Sequence, residues 1–123
     1  MQSPEKLDQE RRVFQQQIAA LDVHQDDDPL DTYHRYVQWL DHNYPPEHAI
    51  ESGLVDLLEE ATKAFLDDDH YKGDLRYLKL WIMYARHIDD PASVYSHLLS
   101  RKIGTSYALL YEEYAEWLEK NGR

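Results

Sequence analysis

Apolar residues recur along this chain at three- and four-residue intervals, and proline, glycine and aspartate fall where that rhythm stops. After Ser3-Pro4, a capping residue followed by proline at the first helical position, Leu7, Phe14, Ile18 and Leu21 share one narrow face. The polar run Gln25 to Asp28 then reads as a linker, and Asp28-Pro29 as the cap and first residue of a second helix. Its stripe is Leu30, Tyr33, Val37 and Leu40, with Tyr36 and Trp39 as an adjacent ridge, and Tyr44-Pro45-Pro46 stops it. A third predicted helix carries Ile50, Leu54, Leu57, Leu58, Ala61 and Phe65, with Gly53 inside it as a mild cost that marks close approach of a neighbour.

The fourth predicted helix, capped by Asp74, has two stripes: Leu75, Leu78, Ile82 and Ala85, then Tyr77, Trp81, Tyr84 and Ile88. A helix apolar on two faces reads as central. Asp89-Asp90-Pro91 opens a fifth helix with Val94, Tyr95, Leu98 and Leu99. Gly104 is expected to take a left-handed conformation at its end. Thr105 or Ser106 is expected to cap a sixth helix carrying Tyr107, Leu110, Tyr111, Tyr114, Trp117 and Leu118, closed by Asn121-Gly122.

Three of these helices share a short pattern: Tyr36-x-x-Trp39-Leu40, Leu78-x-x-Trp81-Ile82 and Tyr114-x-x-Trp117-Leu118. The tryptophans lie 42 and 36 residues apart. Such periods belong to helix–turn–helix repeats of the tetratricopeptide kind. The expected fold class is all-α: tandem tetratricopeptide-like hairpins in a right-handed superhelix, with an extra N-terminal helix. Residues 1–27 form that helix and an acidic linker, and 28–123 the repeat domain. Pro29, Trp39, Trp81, Gly104 and Trp117 are its structural repeat positions. Each tryptophan is expected to pack on the next pair. The sixth helix lacks a partner, so the repeat reading expects the chain to stop within its last repeat, or the last helix to serve as a cap.

Composition narrows the function classes. Ten tyrosines and three tryptophans against two phenylalanines suit partly buried helix seams, where a ring needs both an apolar wall and a hydrogen-bond partner. A net charge of −11 disfavours nucleic acid, whose binding draws on clustered Lys and Arg, and favours basic or apolar peptides. No run of apolar residues reaches the ~20 needed to span a membrane, and the opening MQSPEKLDQERR lacks the apolar core of a secretion signal. With no cysteine, neither disulfides nor thiolate metal sites are possible.

No familiar catalytic motif is present, and no cofactor is implied. His34 and His42 lie eight residues apart, ~12 Å along one helix, too far to share a zinc ion. Asp67-Asp68-Asp69-His70 reads as a solvated acidic turn, not a cation site, and the adjacent pairs Glu59-Glu60 and Glu112-Glu113 point apart on a helix. The expectation is a binding module and not an enzyme. Tyr84, His87 and Ile88 late on the fourth helix, with Val94 early on the fifth, flank one turn and could line a groove for a peptide helix. The competing reading is core packing.

Three stretches together resemble a known family. Asp27-Asp28-Pro29-Leu30 with Tyr33, Tyr36, Val37 and Trp39, then Asn43-Tyr44-Pro45, is similar to the opening of the Mad/Bub homology region, the N-terminal domain of the spindle-checkpoint Bub kinases and their Mad/BubR relatives. Asp74 to Ala85 resembles its second block, and Arg101 to Glu119 its third. The resemblance implies stacked tetratricopeptide-like units that dock short motifs of the outer-kinetochore scaffold, the blinkin-type protein. It implies a nuclear protein found at kinetochores in mitosis. It implies partner-binding residues Tyr84, His87, Ile88, Ser93 and Val94 around the fourth and fifth helices. Other checkpoint proteins would be met by segments outside this chain, with no nucleic acid and no membrane among the partners. Mad-type relatives carry a Lys-Glu-Asn motif before the repeats where this chain has Glu5-Lys6-Leu7. A kinase domain, where the parent protein has one, would lie elsewhere. Two other readings stay open: a helical-repeat scaffold of another assembly, of the RNA-processing type, and a structural segment that dimerises through its first helix.

Overall fold

Capping residues and prolines set most of the element boundaries. In the computed structural model, which describes residues 3–122, six α-helices follow one another: α1 (Pro4–Ala19), α2 (Pro29–Asn43), α3 (Leu54–Ala64), α4 (Leu75–Ala85), α5 (Pro91–Arg101) and α6 (Ala108–Lys120), with short 3₁₀ turns at Pro46–His48 and Asp69–Tyr71. No strand occurs among the described residues. Ser3 Oγ accepts the Lys6 N–H at 3.2 Å, and Asp74 Oδ1 accepts the Arg76 N–H at 2.8 Å, so two of the expected caps close as hydrogen bonds. Proline stands in the first turn of α1, α2 and α5, where its missing N–H costs nothing.

Helices α2, α4 and α6 pack side by side in one layer. Helix α3 joins α2 to α4 in a second layer, and α5 joins α4 to α6. The core runs between the layers, from Leu30, Val37 and Leu40 through Leu58, Ala61 and Phe65 to Tyr77, Leu78, Ala85, Leu98, Ile103 and Leu110. Helix α4 supplies six buried residues and touches four other helices, which is the central position its two stripes predicted. Helix α1 buries none. Its Phe14 and Ile18 lean on the core edge, and Phe14 stacks on Tyr36 with ring centroids 5.0 Å apart. Three of the four seam residues, Phe14, Ile18 and Leu21, therefore pack within the chain, with Val13 left outward.

Several local expectations are corrected. Gly53 is not interior to α3. It sits at φ 88° as the residue before Leu54, and a Cβ there would meet nothing closer than 3.9 Å, so backbone handedness and not crowding calls for glycine. Ile50 consequently leaves the stripe and is 78% exposed. The left-handed cap of α5 is Lys102 (φ 59°), and Gly104 (φ 69°) is left-handed for a tertiary reason, taken up in the Discussion. Neither Thr105 nor Ser106 caps α6. The helix starts after Tyr107, whose hydroxyl instead donates to the Gly73 carbonyl at 2.7 Å. Asp28 precedes Pro29 as expected but caps nothing. Its carboxylate accepts from the Tyr71 hydroxyl at 2.8 Å and from both Arg76 Nη atoms at 2.9 and 3.2 Å.

The tryptophans do not all face the next pair. Trp39 turns back to α1: its Nε1 donates to Glu10 Oε2 at 2.7 Å, and the Arg11 guanidinium lies 5.7 Å over its ring. Arg11 also donates to Ser52 O at 2.8 Å and Tyr44 Oη at 2.9 Å. Helix α1 is thus latched to the first hairpin by one cation sandwiched among aromatics. Trp81 does face its own second-layer partner, meeting His97 of α5 at 5.4 Å. Trp117 borders a cavity of about 380 Å³ with Ala85, Pro91 and Tyr95.

Candidate functional site

The gap between α3 and α5, on the outer side of α4, forms a groove of about 360 Å³ lined by Lys63, Trp81, Tyr84, Ile88, Ser93, Val94 and His97. Its floor follows from helical spacing. Trp81, Tyr84 and Ile88 succeed one another on one side of α4 and its terminal turn, and Val94 and His97 lie three residues apart on α5. Trp81 is only 7% exposed, because Tyr77 and Tyr84 meet its ring edge-on at 6.3 and 6.2 Å while His97 tilts over it. Val94 is buried, Tyr84 and Ile88 are half-buried, and Ser93 is exposed at the rim.

Beneath the groove the packing is tied together by a buried hydrogen bond. Tyr77 is fully buried, and its hydroxyl donates to the Thr62 carbonyl at 2.5 Å, tying α4 to α3. Burial pushes its phenol up to about 12. The Trp81 Nε1 is buried and finds no acceptor of ordinary hydrogen-bond geometry, although the Tyr77 hydroxyl lies close enough to feel it. At the rim, Lys63 Nζ reaches Glu59 Oε1 at 2.7 Å, and that bond raises the Lys63 pKa.

Four of the five residues read from sequence as partner-binding, Tyr84, Ile88, Ser93 and Val94, meet at this groove. His87 does not. Helix α4 ends at Ala85, and His87 and Ile88 are held by tighter i→i−3 bonds to Tyr84 and Ala85. Four residues after Met83, His87 falls on the Met83 side of the helix and with it lines a different cavity of about 310 Å³, with Leu40, Tyr44, Pro45 and Ala49 among the walls. Sequence reasoning missed Trp81, His97 and Lys63 as groove residues. Trp81 was assigned to the repeat alone. His97 carried a usable signal, three residues after Val94, whereas Lys63 arrives from α3 and only the tertiary fold brings it in.

The groove's side chains offer an apolar floor, the Lys63 and His97 nitrogens at the rim and two hydroxyls, those of Tyr84 and Ser93. Among the described residues, no three His, Asp or Glu side chains are placed to hold a metal ion, and no helix is long and apolar enough to cross a membrane.

The fold and groove together define a class: a tandem helical-hairpin scaffold with a half-apolar groove on its outer layer. Comparison with known proteins makes the assignment specific. Residues 9–123 match the family described as Mad3/BUB1 homology region 1, and the chain belongs to that family. It is 41% identical over 96 residues, 78% of its length, to the mitotic spindle checkpoint component mad3 of Schizosaccharomyces pombe. It is 37% identical over 113 residues, 92% of its length, to the mitotic checkpoint serine/threonine-protein kinase BUB1 beta of Mus musculus. The chain spans 31% and 10% of the lengths of these two relatives. Among solved structures, a chain of the crystal structure of the mitotic checkpoint complex superposes with a TM-score of 0.84 at 36% identity, over 96% of this chain and 54% of that one. The tetratricopeptide-like fold expected from tryptophan spacing is the fold of this checkpoint homology region.

Proposed function

We propose that this domain docks a short amphipathic segment of an outer-kinetochore scaffold of the blinkin type in the groove between α3 and α5, and so helps bring a checkpoint protein to kinetochores in the dividing nucleus. The observation that carries this reading is the groove itself: Tyr84, Ile88, Ser93 and Val94 border one solvent-open cavity, with Val94 part of the core and Tyr84 and Ile88 packed half-buried against it. Its apolar floor suits two or three aliphatic or aromatic anchors on one face of a helix, the usual way an amphipathic peptide seats in a groove. Such grooves concentrate their energy in a few anchors, so single truncations at the floor act strongly. Other checkpoint partners would be engaged by other parts of the full-length protein, and a kinase activity of the kind named for some relatives would reside there too.

The test is calorimetric titration with peptides tiled across the scaffold's disordered region. The wild-type domain binds at least one tile, and Tyr84→Ala and Ile88→Ala each weaken it by on the order of tenfold. Unchanged affinity in both variants refutes the placement.

A further inference from the structure

Charged side chains stand at both ends of the groove. At one end the α4–α5 turn presents Asp89 and Asp90, both exposed. At the other end Lys63, from α3, and His97, from α5, line the cavity. Arg101 follows His97 by one turn of α5 and pairs with Asp67 at 3.0 Å. Both cations here are paired with an acid, Lys63 with Glu59 and Arg101 with Asp67, so on a chain of net charge −11 this end is charge-balanced. Lys63 is the single basic residue of α3, and its ammonium has three donors, of which Glu59 takes one. Two remain for an incoming acceptor, beside the His97 imidazole.

Resting on the docking reading above, we propose that Lys63 and His97 select the charge of the docked segment: an amphipathic peptide with a carboxylate side chain at the Lys63–His97 end and a cationic side chain toward Asp89 and Asp90. Charge complementarity of this kind sets register and direction more than it sets affinity. An apolar floor alone accepts a helix in either direction. A floor with an acid at one end and a base at the other accepts one. Trp81, Ile88 and Val94 would then supply grip, and Lys63 with His97 discrimination. The overall acidity of the chain points toward a basic ligand, and the two donors left on Lys63 make this end of the groove the place for an acidic one.

The experiment uses the whole 123-residue chain and the scaffold tile that binds it best. Lys63→Glu, Lys63→Gln and, as a charge-matched control on α1, Lys6→Glu are titrated against that tile and against versions in which each acidic residue is replaced by glutamine or lysine. Lys63 is exposed, so these variants are expected to keep the fold, which circular dichroism checks. The expected result is a roughly three- to tenfold weaker binding for Lys63→Glu, the scale of a lost and reversed exposed ion pair, with no change for Lys6→Glu. One acidic-to-lysine peptide restores binding to the Lys63→Glu protein. If Ile88→Ala weakens binding while the Lys63 variants match wild type and no charge swap rescues, the charge assignment falls and the docking groove stands. If Ile88→Ala is also silent, or no tile binds, the docking reading falls and this inference with it.

Discussion

Gly104→Ala should be among the most damaging single-methyl additions in the domain. Gly104 holds φ at 69°, a region where an L side chain strains against the following carbonyl, and its N–H donates to the Lys72 carbonyl at 2.8 Å, so the backbone cannot rotate away without losing that bond. A Cβ placed there would stand 2.7 to 2.9 Å from three carbons of Leu78, which is itself fully buried at the centre of α4. The left-handed conformation costs roughly 1–2 kcal/mol. Overpacking against an immobile leucine adds about 1–3 kcal/mol, and the sum of about 2–5 kcal/mol lowers Tm by on the order of 10 °C for a domain of this size. Urea and thermal denaturation of the single variant measure the total. A cycle with Leu78→Ala separates its parts, because removing the leucine side chain relieves the clash and leaves the backbone cost. In the Leu78→Ala background, Gly104→Ala should cost only about 1–2 kcal/mol. A loss below about 0.5 kcal/mol in the wild-type background, or strict additivity in the cycle, would refute the reasoning.

Further outcomes follow from the same contacts. Burial pushes the phenols of Tyr33, Tyr71 and Tyr77 up to about 12, so the unfolded chain releases their protons first. Their contribution to stability is complete below pH 10 and is lost as pH rises toward 12, with a slope approaching three protons in a urea-midpoint titration. Arg76 holds the carboxyls of Asp28 and Asp74 below their ordinary values through its hydrogen bonds. That stability is present above about pH 4 and lost as pH falls through the depressed values. Arg76→Met should therefore cost about 1–2 kcal/mol at pH 7, with the smaller end favoured by partial exposure, and flatten the acid limb of the stability curve. Trp39→Ala removes the Glu10 hydrogen bond and one wall of the Arg11 sandwich. It should release α1 and make the 20–28 linker sensitive to protease while the remaining helices stay folded, as hydrogen exchange would show.

Much of this fold is legible in the sequence because its helix starts are local events. Ser3-Pro4 and Asp74 act through residues two or three positions on, which is the range over which composition can be read. What the sequence hid are decisions made by partners far along the chain. Asp28 looks like a cap, yet Tyr71 and Arg76, 43 and 48 residues away, claim its carboxylate. Trp39 looks like a repeat tryptophan facing forward, yet Glu10 and Arg11 draw it back to α1. Gly53 looks like a flaw inside a helix, because nothing local states that Pro45 and Pro46 divert the chain into a 3₁₀ turn first. The candidate groove follows the same division. Tyr84, Ile88, Ser93 and Val94 surround one turn and could be grouped by spacing. His87 shares that turn, but helical spacing sets it four residues after Met83, on the side of the neighbouring cavity. Lys63 could be placed only by packing α3 against α4.

The central claim, a docking groove between α3 and α5, is tested most directly by chemical-shift mapping of the labelled domain with the tightest-binding scaffold tile. The groove account predicts that the largest perturbations fall on the Trp81 indole, His97 and the Ile88 and Val94 methyl groups, with Met83 and Ala49 in the neighbouring cavity unmoved. Shifts centred on Met83, Ala49 and His87, with the Trp81 and Ile88 signals unchanged, would contradict it.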